Sequence, residues 1–259
     1  MFDFHLDISD FVATLTIDRP ERRNALTLPL VDALAETIEG LEARGDVNVL
    51  VLTGAGGAFC AGADIVANAE SIQSGDGIED SVARFHRLLR ALWNYPRPTI
   101  AAVAGDAVGF GMDLALACDL RVAADTVKFR QGFSKIALVP DGGSSLTLQR
   151  LVGTAKAFEL MYFSEKVEAD EALRIGLVNK VVPEEELATA TSEWAARLAK
   201  GPQKALRLAK ANLRAAMGGV MDSALRNEAA AQVDCFSGPD PMAGVMAFMT
   251  KTEPTFTER

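Results

Sequence analysis

The first half of the chain repeats one pattern: a short apolar strand runs into a glycine-bearing loop, and a helix follows. Residues 47–54 (VNVLVLTG) read as a buried strand, and TGAGGAFCAGADI (53–65) carries the chain toward a helix. Residues 99–105 (TIAAVAG) repeat the strand, and GDAVGFGMDLALACDL (105–120) opens the next helix. Around these, 11–18 (FVATLTID) alternates two faces as a half-buried strand does, and 120–124 (LRVAA) is a further short strand. Pro29 stands where a helix begins, and Leu30, Leu34, Ile38 and Leu41 recur at helical spacing. A second helix over 78–93 carries Val82, Phe85, Leu88, Leu89 and Leu92 on one stripe. Past Gly143 the pattern changes. Helical segments at about 144–151, 155–163, 169–175, 184–200, 203–217, 222–236 and 240–250 follow one another, and only 178–182 looks extended. Strand–helix units followed by a helical tail make an α/β fold, and they exclude a closed eight-fold barrel, which would alternate to its end.

The net charge of −9 argues against nucleic acid, whose recognition starts from a basic surface. An anionic small ligand stays open, since main-chain N–H groups and a few local cations can hold one. The opening MFDFHLDISD lacks the cationic and apolar regions of a secretory signal. The least polar long stretch, 99–118, is broken by Asp106 and Asp113, so no membrane span is expected. Cys60, Cys118 and Cys235 are far apart, as in a reduced, cytoplasmic protein. With His5 and His86 as the whole histidine complement and no thiol pair, no metal site is expected.

Two glycine loops after strands can each aim one N–H at a single oxygen, forming an oxyanion hole. A nicotinamide-binding reading competes: Thr53-Gly54 starts a TGxxxGxG-like run, and 162–166 (YFSEK) fits YxxxK. The later glycines of that fingerprint are Ala58 and Cys60 here, and the loop follows the wrong strand. A third stretch, VPDGGSS (139–145), puts an acid between proline and two glycines. Asp141 is therefore either a turn residue or a carboxylate projected from a tight turn.

Taken together, DRPERRNAL, AFCAGADI, RPTIAAVAGDAVGFGMDLALACDL, PDGGSS and ADEALRIGLVNKVVP resemble the crotonase (enoyl-CoA hydratase/isomerase) family over nearly the whole chain. The resemblance implies a spiral of ββα units over residues 1–195 and a C-terminal helical trimerisation subdomain over 196–259. It also implies a homotrimer or dimer of trimers. The implied substrate is an acyl-CoA thioester, with coenzyme A part of the substrate and no separate cofactor. Its oxyanion donors correspond to the main-chain N–H of Ala63 and Phe110. Ala61, Asp64 and Ile65 match the segment around the adenine end of CoA, as does Ala63. Arg22, Arg23 and Ala25 match the segment that passes over CoA, and Lys251 a basic position that reaches a phosphate across a subunit boundary. For Arg22, Arg23 and Lys251 the competing reading is solvated surface charge.

The chain departs from the family's hydratase pattern. Of the two acids used for hydration, the first falls at Asp113, one methylene shorter than the usual glutamate, and the second at Phe133, which carries no proton. Asp113 is either catalytic or an acid favoured by the dipole of a helix start. Asp141 matches the acid of isomerases that work with one carboxylate, so a double-bond shift through an enolate is expected. Hydration by Asp113 with Asp141 and a non-catalytic acyl-CoA binder are the alternatives. A dehalogenating type, with Asp141 as nucleophile, would need an imidazole that His86, on a helix ahead of the strand, does not supply. The apolar setting of Asp141, with Phe110 and Phe133 near, is expected to raise its pKa.

Overall fold

A computed structural model describes residues 3–71, 77–217 and 220–256. The chain opens with an antiparallel pair, β1 (Phe4–Ser9) and β2 (Val12–Ile17). Helix α1 (Leu28–Glu42) starts where Pro29 predicts, with Thr27 Oγ1 accepting the Leu30 N–H, and buries Leu30, Leu34, Ile38 and Leu41. Next come β3 (Val49–Gly54), α2 (Ile65–Ser71), α3 (Gly77–Asn94), β4 (Thr99–Val103), β5 (Asp106–Val108) and α4 (Phe110–Ala117). The middle of the chain holds β6 (Leu120–Ala124), β7 (Lys128–Arg130), α5 (Ser144–Val152), α6 (Thr154–Phe163), β8 (Val167–Glu168), α7 (Ala169–Arg174) and β9 (Lys180–Val182). Four helices close it: α8 (Leu187–Ala199), α9 (Gln203–Ala216), α10 (Val220–Ser237) and α11 (Asp240–Thr250).

The strands lie in two sheets. The larger runs β1-β2-β3-β4-β6-β9, parallel from β2 onward, and the smaller runs β5-β7-β8. Each turn of the chain gives one strand to each sheet: β4 then β5, β6 then β7. After β3 comes Cys60, which bridges to Ala107 of β5. This is the expected spiral of ββα units. Strands β1, β5, β7 and β8 were not legible in the sequence pattern; apart from β1 they are two or three residues long.

The continuous apolar run of β3 follows from burial on both faces. Leu50 and Leu52 face the main core, with α1, α3 and α4, while Val49 and Val51 face α8. Helix α8 crosses residue 195 without a break, and Ala195 and Ala199 sit in one cluster on that sheet face. Helix α9 buries no residue, leaving Leu208 and Leu213 exposed.

Candidate active site

The site is built where the two glycine loops meet. Val108 N donates to Cys60 O at 3.0 Å, so the 59–64 and 105–111 segments run side by side. Gly62, with φ of +88°, sits so close that a Cβ there would lie 2.7 Å from Val108 O and 3.5 Å from Phe110 N. Only glycine combines that φ with that approach. Leu26 forms a parallel bridge to Ala63: its N–H donates to Gly62 O and its carbonyl accepts from Asp64 N, each at 2.8 Å. Both of those bonds flank Ala63, whose own N–H therefore points away from Leu26. Phe110 opens α4, and an N–H in a first helical turn has no partner inside its helix. Among the described residues neither amide has a recorded partner, and the loop contact brings them side by side.

Every residue of α4 is buried, and Asp113 is the one acid in its otherwise apolar sequence. One turn on from Phe110, Asp113 is fully enclosed at 0% exposure. Its Oδ1 accepts from Gln131 Nε2 at 3.0 Å, while Oδ2 has no partner among the described residues. Burial drives its pKa well above the ordinary carboxylate value; the charges of Glu228 and Asp141 add to this and the Gln131 bond opposes it. The favourable helix dipole does not offset that burial, which favours the protonated form.

Asp141 stands over Asp113. A Cβ on its neighbour Gly142 would lie 2.5 Å from Asp113 Oδ2, so the turn rests directly on the buried acid. Asp141 itself is partly buried, and its Oδ2 accepts from Gln232 Nε2 at 2.9 Å. Desolvation first, then the Glu228 charge, push its pKa up to about 7. The rise agrees with the expectation. The Phe110 ring packs edge-on against Phe85 of α3, with ring centroids 4.7 Å apart. Phe133 is buried near Gly109.

His86 of α3 faces the main chain of Asp141, while its Nε2 is buried without a partner among the described residues. Helix α3 passes under the 139–145 turn, where Leu89 comes within 3.0 Å of where a Gly143 Cβ would sit. Burial lowers the His86 pKa to about 4, with the Arg90 charge assisting, so the imidazole is neutral near pH 7. Spacing held the clue, because residues 82, 85, 86 and 89 share one helical face. Gln131, Glu228 and Gln232 carried no motif and were missed.

The expected CoA segments also come together. Ala61 N donates to Arg23 O at 2.9 Å, and the Leu26 bridge ties 22–26 to 61–64. The Asp64 carboxylate, however, is already committed. Oδ2 accepts from Arg19 Nη1 and Nη2 at 3.2 and 3.3 Å, and Oδ1 from Ala67 N at 3.3 Å, which leaves main chain as what Asp64 can offer a ligand. Arg19 also grips Ala25 O, and was missed from the sequence. Ile65 opens α2 and is partly buried. Arg22 and Arg23 are exposed, Arg23 pairing with Asp106 at 3.1 Å. Lys251 is exposed at the end of α11, and no hydrogen bond or ion pair among the described residues ties it to these loops.

Residues 7–259 match the family described as Enoyl-CoA hydratase/isomerase. A Rhodobacter capsulatus protein named "Probable enoyl-CoA hydratase" is 37% identical over 98% of this chain and 97% of its own. The 1,2-epoxyphenylacetyl-CoA isomerase of Escherichia coli K12 is 36% identical over 99% of each. The crystal structure of an enoyl-CoA hydratase from Mycobacterium avium subsp. paratuberculosis K-10 superposes with a TM-score of 0.90 at 34% identity, covering 99% of both chains.

Proposed function

Given that the chain belongs to the enoyl-CoA hydratase/isomerase family, the crotonases, we propose that within it this protein is an isomerase that shifts a double bond in an acyl-CoA thioester. The observation that carries this reading is one partly buried carboxylate, Asp141, poised near neutrality by its surroundings, with no second acid open to a substrate among the described residues of the site. Asp113 is fully enclosed, and Phe133 fills the other family position.

In this reading Asp141 takes a proton from C2 of a 3-enoyl-CoA. The electron pair moves into the C2–C1 bond and the thioester oxygen becomes an enolate, held by the N–H groups of Ala63 and Phe110. The protonated Asp141 returns the proton at C4 as the double bond re-forms between C2 and C3. Atoms and charge balance, and one carboxyl serves both steps. Losing one oxyanion donor typically costs ~10²–10³ in turnover, and a general base contributes ~10²–10⁴. Main-chain groups of 61–65 and 22–25 would embrace the CoA, with Arg22 and Arg23 at its phosphates and Lys251 reaching one from a neighbouring subunit. Assembly as a trimer or dimer of trimers is part of the proposal; the exposed Met242, Met246, Phe248 and Met249 of α11 support it. A cytoplasmic setting is proposed with it.

Incubating the enzyme separately with a 3-enoyl-CoA and a 2-enoyl-CoA, with products read by mass and by chromatographic separation of the double-bond isomers, tests the reading. Isomerisation of the first, lost in Asp141→Asn with CoA binding kept, is expected. Addition of water to the second without isomerisation of the first would instead support hydration by Asp113 and Asp141.

A further inference from the structure

Helix α10 lies in the helical tail, yet two of its side chains end on the turn that carries Asp141. Gln232 Nε2 donates to Asp141 Oδ2 at 2.9 Å, and its Oε1 accepts from Val139 N at 3.2 Å. One turn earlier, Glu228 Oε2 accepts from Gly143 N at 2.7 Å and Oε1 from Ser145 N at 3.0 Å. The same helical face therefore grips the turn two residues before Asp141, at its carboxylate, and two and four residues after it. Both side chains are at least nine-tenths buried. Packing α10 on the core needs neither: Met221 and Leu225 already do that. Burying a carboxylate and an amide there is unfavourable unless their bonds are made, and the atoms they meet are those that place one acid.

We propose that Gln232 and Glu228 are positioning residues for Asp141. Gln232 fixes one carboxylate oxygen, leaving the other toward the acyl carbons, and Glu228 sets the height of the turn at the start of α5. This rests on Asp141 being the base. The two act oppositely on its charge: the Gln232 donor favours the carboxylate, and the Glu228 charge disfavours it. The other ionisable groups facing the turn are Asp113 from α4 and His86, with Arg90 beside it, from α3.

The experiment compares full-length wild type, Gln232→Leu and Glu228→Gln. The Asp141 carboxyl is titrated by infrared difference spectroscopy against the matching Asp141→Asn protein, and kcat and KM are followed on a 3-enoyl-CoA. We expect Gln232→Leu to weaken Asp141 as an acid by about tenfold, as loss of a charge-assisted bond does. Its kcat should fall roughly tenfold with KM within threefold, as misplacement of a reacting group does. Glu228→Gln should shift the titration downward. If Gln232→Leu fails to fold, Gln232→Met, of matching length, takes its place. An Asp141 titration unmoved by the Gln232 variant, or shifts of the same sign in both variants, would overturn the proposal. A wild type without isomerase turnover would defeat the functional reading alone, because the titration judges positioning without catalysis.

Discussion

Gly142 sits on Asp113 with no room for a methyl group: a Cβ there would come within 2.5 Å of both Cβ and Oδ2 of the buried acid. The Asp113 Cβ is anchored on α4, so the turn itself must lift. Gly142→Ala is expected to cost about 1–3 kcal/mol, as overpacking does. Tm should fall by several degrees and turnover more steeply than Tm, because Asp141 moves with the turn. Thermal unfolding and steady-state kinetics on one preparation check this.

The raised Asp141 pKa fixes the direction of a pH effect. Between the ordinary carboxylate value of 3.8 and about 7, the folded protein keeps a proton the unfolded chain has lost. Its contribution to stability is therefore full at low pH and is lost as pH climbs through that window. Each tenfold difference in proton affinity between the folded and unfolded chain is worth about 1.4 kcal/mol at most, less where water reaches the group. Asp141→Asn behaves as the permanently uncharged form. The Tm advantage of that variant should be small at pH 4, grow through pH 5 and 6, and level off above about pH 7. An advantage that stays constant over this range would contradict the assigned protonation.

Asp113→Asn separates a structural acid from a catalytic one. Burial favours the neutral form of this carboxyl, which an amide closely matches, and Oδ1 can still accept from Gln131. Isomerase turnover is expected within ~10-fold of wild type, outside the ~10²–10⁴ loss of a missing base. Asp113→Ala should be the more damaging change to stability, by about 1–3 kcal/mol, since it strands the buried Gln131 amide. Turnover in Asp113→Asn as low as in Asp141→Asn would make the two acids partners.

Two ion pairs near the expected CoA segments should behave differently. Arg19 and Asp64 are nearly enclosed, at 13% and 10% side-chain exposure. Asp64→Ala leaves a buried guanidinium short of a partner and should destabilise by about 3 kcal/mol, loosening 61–65 and weakening CoA binding. The pair of Arg23 with Asp106 is open to solvent at Arg23, and Arg23→Ala should change stability by less than about 1 kcal/mol. Urea unfolding and CoA titration of both variants measure the contrast.

Main-chain features were the legible part. Gly62, Ala63 and Phe110 are placed by loop geometry that glycine spacing announces, and the Asp141 turn announces itself by PDGG. The long helices were readable because α1 and α3 bury one stripe each. Strands β5, β7 and β8 were not, since two or three residues show no period and are specified by their neighbours. The missed residues have a shared cause. Gln131 reaches Asp113 across 18 positions, Glu228 reaches Gly143 across 85, and Gln232 reaches Asp141 across 91. No local pattern encodes such pairings. Phe110 divides the two cases: its amide is dictated locally, while its ring packs against Phe85 on another helix.

The first turn of α4 places an amide at one end and the seat of the Asp141 turn at the other. A helical turn is a ruler with a set length. Under the proposed function, whatever tail an acyl group trails, chemistry would be confined to the few carbons nearest the sulfur that this ruler spans. Selectivity for the tail can thus drift through surrounding loops while the position of reaction stays where the ruler puts it.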